Sequence, residues 1–153
     1  MGHIYLESPP RIKQERSTCW AAAVSAWSMV AKGATPIGVD ALIAAGKKAG
    51  HVAWKGQLKG DDGIKWLAKK LNLQYATGEF MATEPEMLPK LKKGGHVIYF
   101  YRHEDWKNSV HAVTVWGVDE DCVCFMDPAY GQWTFPDPWS FSFKWELCMW
   151  AKD

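Results

Sequence analysis

Residues 111–127, HAVTVWGVDEDCVCFMD, set the architecture. They read as two strands, 111–119 and 122–127, both rich in β-branched and aromatic side chains. The acidic segment between them is a tight turn, so the two runs form an antiparallel hairpin. In such a hairpin the start of one strand lies beside the end of the next. With a turn near residue 119 or 120, His111 falls opposite residue 127 or 128, which brings Asp127 beside it. A bulge would shift this register by one residue. A carboxylate in that place can orient an imidazole and stabilise its cation.

To either side the pattern is equally clear. HVIYFYR (96–102) reads as another strand, and GQWTF and LCMWAK supply one or two more. Ahead of them the chain is helical. Trp20–Lys32 forms a first helix, capped by Ser17 or Thr18 and closed by Gly33. Val39–Ala49 forms a second. Asp61 or Asp62 caps a third, with Ile64, Leu67, Ala68 and Leu71 as its apolar stripe. Thr83-Glu84-Pro85-Glu86 announces a fourth as a capping box; it runs to Lys93, with Pro89 making it irregular. Helices first and a mostly antiparallel sheet afterwards is an α+β layout. No repeat or linker divides the chain, so residues 1–153 form a single domain, with 1–13 as an extended segment broken by Pro9-Pro10.

Composition removes several function classes. Of 153 residues, 48% are hydrophobic, enough for the core of one domain. Eighteen basic against 17 acidic residues leave a formal charge of +1, without the basic excess of a nucleic-acid module. No apolar run approaches the ~18 residues of a membrane span. The start, MGHIYLESPPRIK, lacks the basic and hydrophobic stretches of a secretory signal. Cys122 and Cys124 lie two apart on one strand face, a poor geometry for bridging each other, and a chain of this size needs no staples. All four cysteines are therefore expected as reduced thiols, working in a reducing cytosol. A zinc site from Cys122, Cys124, His96 and His103 would require a knuckle spacing that Cys-x-Cys on a strand does not provide. Cys122, Cys124 and Cys148 are expected as core residues, and no metal or organic cofactor is expected.

The chemistry begins at QERSTCWAAAVSAW (14–27). A structural cysteine would sit inside the apolar stripe. Cys19 sits just ahead of it, at the mouth of an alanine-rich helix, where unsatisfied backbone N–H groups and the positive helix end favour thiolate over thiol. An activated thiol needs a base. His111, at the entry of an apolar strand with Asp127 beside it, fits that role best of the five histidines. Gln14 can join the Cys19 backbone N–H in donating to a developing oxyanion; losing such a donor costs about 2.7–4 kcal/mol in acyl-transfer enzymes. Taken singly, Cys19 reads as a small buried hydrophobe, Asp127-Pro128 as a turn former and Gln14 as plain surface. Their joint order and register favour the chemical reading.

Gln14 with CWAAA, then HAVTVWG, then MDPAYG, resembles the papain-like cysteine peptidases. The likeness is greatest to the compact bacterial branch, which includes plant-pathogen effector proteases and interbacterial toxin domains. The resemblance implies a papain-like α+β fold, with an N-terminal helical half packed on a C-terminal antiparallel sheet. It implies a cysteine endopeptidase in which Cys19 is the nucleophile, His111 the base and later acid, Asp127 the orienting carboxylate and Gln14 the oxyanion donor. By family context the substrate is a target-cell protein, reached through a secretion system, and a cognate immunity or inhibitor protein would cover the cleft. Trp20, Trp54, Tyr130 and Trp133 are candidates for the cleft walls. Larger relatives place asparagine third and follow it two residues on with a shielding tryptophan. Here Asp127 stands third and Ala129 follows, which leaves the shielding to Tyr130 or Trp133.

Three other readings compete. The same triad can serve deamidation, transglutamination or peptidoglycan amide hydrolysis, although amidases of this general fold usually carry histidine third. A leader peptidase tied to export is a second; that group typically has glycine where this chain has Trp20. The third is a catalytically inert papain-like binding module, against which the intact set of Gln14, Cys19, His111 and Asp127 argues.

Overall fold

The computed structural model describes residues 2–15, 17–102, 110–137 and 145–152. Among them are β1 (Ile4–Tyr5), α1 (Cys19–Val30), α2 (Val39–Lys48), α3 (Gly60–Leu71), β2 (Leu73–Gly78), α4 (Glu84–Gly94), β3 (Val97–Arg102), β4 (His111–Val118), β5 (Val123–Asp127), β6 (Gln132–Thr134) and β7 (Trp145–Ala151). The strands form one antiparallel sheet in the order β2-β7-β3-β4-β5-β6, with β1 taking over the edge of β4 beyond β3.

β3, VIYFYR, is apolar on both faces and lies in the middle of the sheet, buried from Val97 to Tyr101. One face carries α1, α2 and α3. There Ile98, Phe100, Ala112, Leu147 and Met149 pack with Trp20, Val24, Leu42 and Leu67. The opposite face carries α4, whose Met87 and Leu91 pack on Val97, Tyr99, Val113 and Val115. This refines the expected division of helical front and sheet-rich back. α4 lies behind the sheet, and two strands, β1 and β2, come from the N-terminal half. β2 follows α3 directly because Asn72 takes a left-handed conformation (φ 55°) that ends the helix and reverses the chain. Its pairing with β7 runs from Leu73–Ala151 to Gly78–Glu146.

α1 is buried on nearly every side, as a helix apolar all round must be. Its alanines let it approach the sheet closely enough for the Thr114 hydroxyl to donate to the Ala23 carbonyl at 2.6 Å. The helix begins at Cys19, one residue earlier than the apolar pattern suggests. Thr18 occupies the cap position, but its hydroxyl donates to the Glu15 carbonyl instead of capping. The other caps differ in the same way. α3 starts at Gly60, so Asp61 and Asp62 sit in its first turn, where they complement the helix dipole. Thr83 precedes α4, yet its hydroxyl donates to the Phe80 carbonyl at 2.8 Å and Glu86 pairs with Lys90 at 3.6 Å, so the capping box is not made. α4 continues through Pro89 to Gly94.

Glu146 on β7 is a charged-type side chain that is 1% exposed. Its carboxylate accepts the Tyr99 hydroxyl and the Phe80 backbone N–H. Burial raises its pKa, while the bonds from Tyr99 and from the Phe80, Met81 and Ala82 backbones pull the other way. The carboxylate thereby pins the segment joining β2 to α4 onto the sheet.

The hairpin between β4 and β5 turns through Asp119–Cys122, where the Asp119 N–H donates to the Cys122 carbonyl at 2.9 Å. Trp116 is an extra residue in β4: Gly117 pairs with Cys124, but Val115 pairs with Phe125. Continuing that register puts Asp127 across from Val113, two residues from His111 on the same face. The pair is therefore diagonal, where the simple hairpin count made it directly opposite. The difference comes from a turn later than expected, which the bulge offsets by one residue.

Candidate active site

The extended N-terminal segment lies along the turn after β5. The Trp133 indole N–H donates to the Pro9 carbonyl at 2.8 Å, and the Gln14 backbone N–H donates to the Pro128 carbonyl at 2.7 Å. Arg11 stacks over Trp133, 5.2 Å from its centroid. Gly131 makes the close approach possible. Its φ of +60° suits glycine, and an added Cβ would lie 3.0 Å from the Lys13 Cβ and 3.2 Å from the Lys13 backbone N. This strapping carries Gln14 to the rim of the cleft that Cys19 lines.

Cys19 is the first residue of α1, at the helix end where the backbone N–H groups lack intrahelical partners. Its Sγ lies 3.5 Å from the Val110 carbonyl, the residue just before β4. His111 also hydrogen-bonds Cys19. On its other side His111 Nε2 lies 2.6 Å from Asp127 Oδ1. The same Oδ1 accepts the Ala129 N–H at 3.0 Å, and the Asp127 carbonyl accepts the Gly131 N–H at 2.8 Å. Asp127 thus builds the turn and holds the imidazole at once. A carboxylate on one ring nitrogen and a sulfur near the other is the arrangement that can move a proton to and from that sulfur.

Both His111 and Asp127 are 8% exposed. Burial alone would disfavour the imidazolium. The hydrogen bond to Asp127, the hydrogen bond and charge of Cys19, and the charge of Asp127 outweigh it and push the His111 pKa from 6.5 up to about 9. Tyr101, across from His111 in the β3–β4 ladder, packs its ring against the imidazole at 5.3 Å and 75°. Its hydroxyl is held neutral by burial and by the charges of Asp127 and Cys19, which push its pKa far up. Tyr101 is 6% exposed, so it screens one side of the pair from water, the task expected of Tyr130 or Trp133. Those two are 71% and 41% exposed.

The cleft has a volume of about 810 Å³. Cys19, His111 and Gln14 lie in it together; Asp127 stands behind His111. Trp20 lines it, and the Trp20 indole N–H donates to the Gly56 carbonyl at 2.6 Å. That bond holds the loop 52–58, closed by a Val52–Leu58 bridge, so that Gln57 and Leu58 form a wall. Trp54 is on the tip of this loop and 77% exposed; Trp54, Tyr130 and Trp133 do not line the cleft. The opposite wall is the sheet, with Phe100, Arg102 and Trp145. Of these, Tyr101 and Arg102 were within reach of sequence reasoning, because pairing HVIYFYR against HAVTVWG places both beside His111. The loop wall gives no such signal.

Among the described residues, the cysteines and histidines outside the cleft make no comparable cluster. Cys122 and Cys124 lie with sulfurs 3.9 Å apart, Cys148 is buried, and His96 Nε2 lies 2.6 Å from the Glu7 carbonyl. His103 lies outside the described residues. No group of three or more metal-ligating side chains gathers among the described residues, and no helix among them is long and apolar enough to cross a membrane.

No protein-family model and no curated protein matches the chain. Among solved structures it is similar to the peptidase domain of Streptococcus ComA, a bi-functional ABC transporter involved in a quorum sensing pathway. The TM-score is 0.63 at 14% identity, over 92% of this chain and 97% of that one. A likeness at this identity speaks for the fold and not for the effector or toxin branch. With four helices and an antiparallel sheet among its described residues, the chain has an α+β fold like that of this peptidase domain.

Proposed function

We propose that the chain is a cysteine endopeptidase that hydrolyses peptide bonds through Cys19, His111 and Asp127. The observation that carries this reading is the His111 imidazole, hydrogen-bonded to Asp127 on one side and Cys19 on the other inside an open cleft. The Cys19 sulfur attacks the carbonyl carbon, and the oxyanion is met by the Gln14 amide and the Cys19 backbone N–H. The His111 imidazolium then gives its proton to the leaving amine, and the C–N bond breaks. Water attacks the resulting thioester, with His111 as base, and releases the acid and the free thiol.

A target-cell protein as substrate, delivery by a secretion system and a covering immunity protein rest on the motif resemblance. The likeness to a transporter's peptidase domain over nearly the whole chain favours a second reading, a processing peptidase tied to export. Wild type and Cys19→Ala, expressed in parallel and compared for new protein N-termini, separate these readings. Defined cuts in many proteins, present only with wild type, support the first. A single cut in one precursor supports the second. Mass shifts at glutamine or asparagine without cuts would replace both with a deamidase.

The strap predicts a separable effect. Gly131→Ala should displace Lys13 and with it Gln14, lowering turnover by about tenfold or more through the oxyanion donor. Alkylation of Cys19 by iodoacetamide forms no oxyanion and should stay near the wild-type rate. Equal losses in both would show that Gln14 is not placed by this contact.

A further inference from the structure

Even-numbered residues of β3 face α1. Ile98 and Phe100 are buried there with Trp20 and Ile64. Arg102 continues that row one step beyond the core and enters the cleft. The β3–β4 register, Tyr101 to His111, sets Arg102 beside Val110, whose carbonyl is 3.5 Å from the Cys19 sulfur. The guanidinium is thus on the strand next to the nucleophile.

The charges lining this cleft are unequal in their compensation. His111 has Asp127 and Cys19. Asp61 lies in the first turn of α3, where the positive helix end offsets it. Arg102 is half-buried at a strand end and makes no ion pair with any described residue. An arginine keeps its charge, so a substrate anion entering the cleft meets a guanidinium that no described residue pairs. The apolar floor around it, Phe100, Ile64 and Trp20, lowers the local dielectric and strengthens such a contact.

We propose that Arg102 is a specificity residue that binds the carboxylate of an acidic substrate side chain close to the scissile bond. The inference rests on the peptidase reading and names its substrate class. An extended peptide rises about 3.3 Å per residue, so the acid falls within about two residues of the cut. A planar guanidinium accepts a carboxylate through two parallel N–H donors, which gives preference for glutamate or aspartate over their amides.

The test uses a proteome-derived peptide library, cut by wild type and by Arg102→Gln and Arg102→Lys, with Cys19→Ala as background. Wild type should favour an acidic residue at one fixed position, and synthetic peptides with Glu there should show kcat/KM about tenfold above the Gln versions. Arg102→Gln should erase the preference and Arg102→Lys retain part of it. Amidated C-termini separate a side-chain acid from the chain terminus; a preference lost on amidation would overturn the side-chain assignment. Cys19-dependent cuts without acidic preference, or a preference that survives Arg102→Gln, would overturn this inference alone. No Cys19-dependent cut at all would overturn the peptidase reading with it.

Discussion

Replacing His111 with alanine should reduce peptide turnover by more than about 10⁴-fold, the loss seen when a member of a nucleophile–base unit is removed. The same change should slow alkylation of Cys19 at pH 7 at least about tenfold, because the imidazole hydrogen-bonded to the sulfur is gone. Cooperative unfolding of the variant would exclude a purely structural loss, since a misfolded chain would also carry Cys19 as an ordinary thiol. The pH dependence of stability gives a third readout. The imidazole titrates near 6.5 when unfolded and at about 9 when folded. The folded state therefore holds the proton more tightly between these values, and stability falls as pH rises through that window. The contribution is complete below 6.5 and lost by about 9. His111→Ala should flatten this slope. An unchanged slope, with alkylation as fast as in wild type, would disconnect the imidazole from Cys19.

Glu146→Ala should be the largest single loss of stability outside the site, about 3–5 kcal/mol in denaturant unfolding. The variant leaves the Tyr99 hydroxyl unsatisfied in the core and removes the acceptor of the part-buried Phe80 N–H. Glu146→Gln keeps the volume and one acceptor and should cost less than half as much. The raised carboxyl pKa gives a sign to the pH effect. Folding favours the protonated acid, so this stabilising share is present below the usual value of 4.5 and declines as pH rises through the folded value. The Gln variant should lack that decline. A loss under about 1 kcal/mol for the Ala variant would mean that the segment before α4 settles without its clamp.

Features set by local pattern were legible in the sequence. α1 and the β4–β5 hairpin each carry a dense apolar run between clear breakers, which put Cys19 at a helix mouth and Asp127 near His111. Features set by competition were not. Thr18 and Thr83 look like caps, but each hydroxyl finds a carbonyl three residues back. The side of the sheet on which α4 lands depends on pairings distant in sequence. β2 has one fully buried residue, Leu73, too few for its alternation to stand out. Of the aromatic candidates for the cleft wall, Trp20 lines it and Trp54 does not, and the bond from Trp20 to Gly56 leaves no periodic trace in the sequence.

The strap of residues 9–14 over the turn at 128–133 has a temporal meaning. Translation delivers the sulfur early, and the imidazole, its carboxylate and the anchor for Gln14 only some hundred residues later. At about 5–20 residues per second the gap lasts about 5–20 seconds. On the proposed peptidase reading, the nascent thiol has no base beside it during this interval. Arming waits for docking of the hairpin, so the order of synthesis doubles as a safety catch.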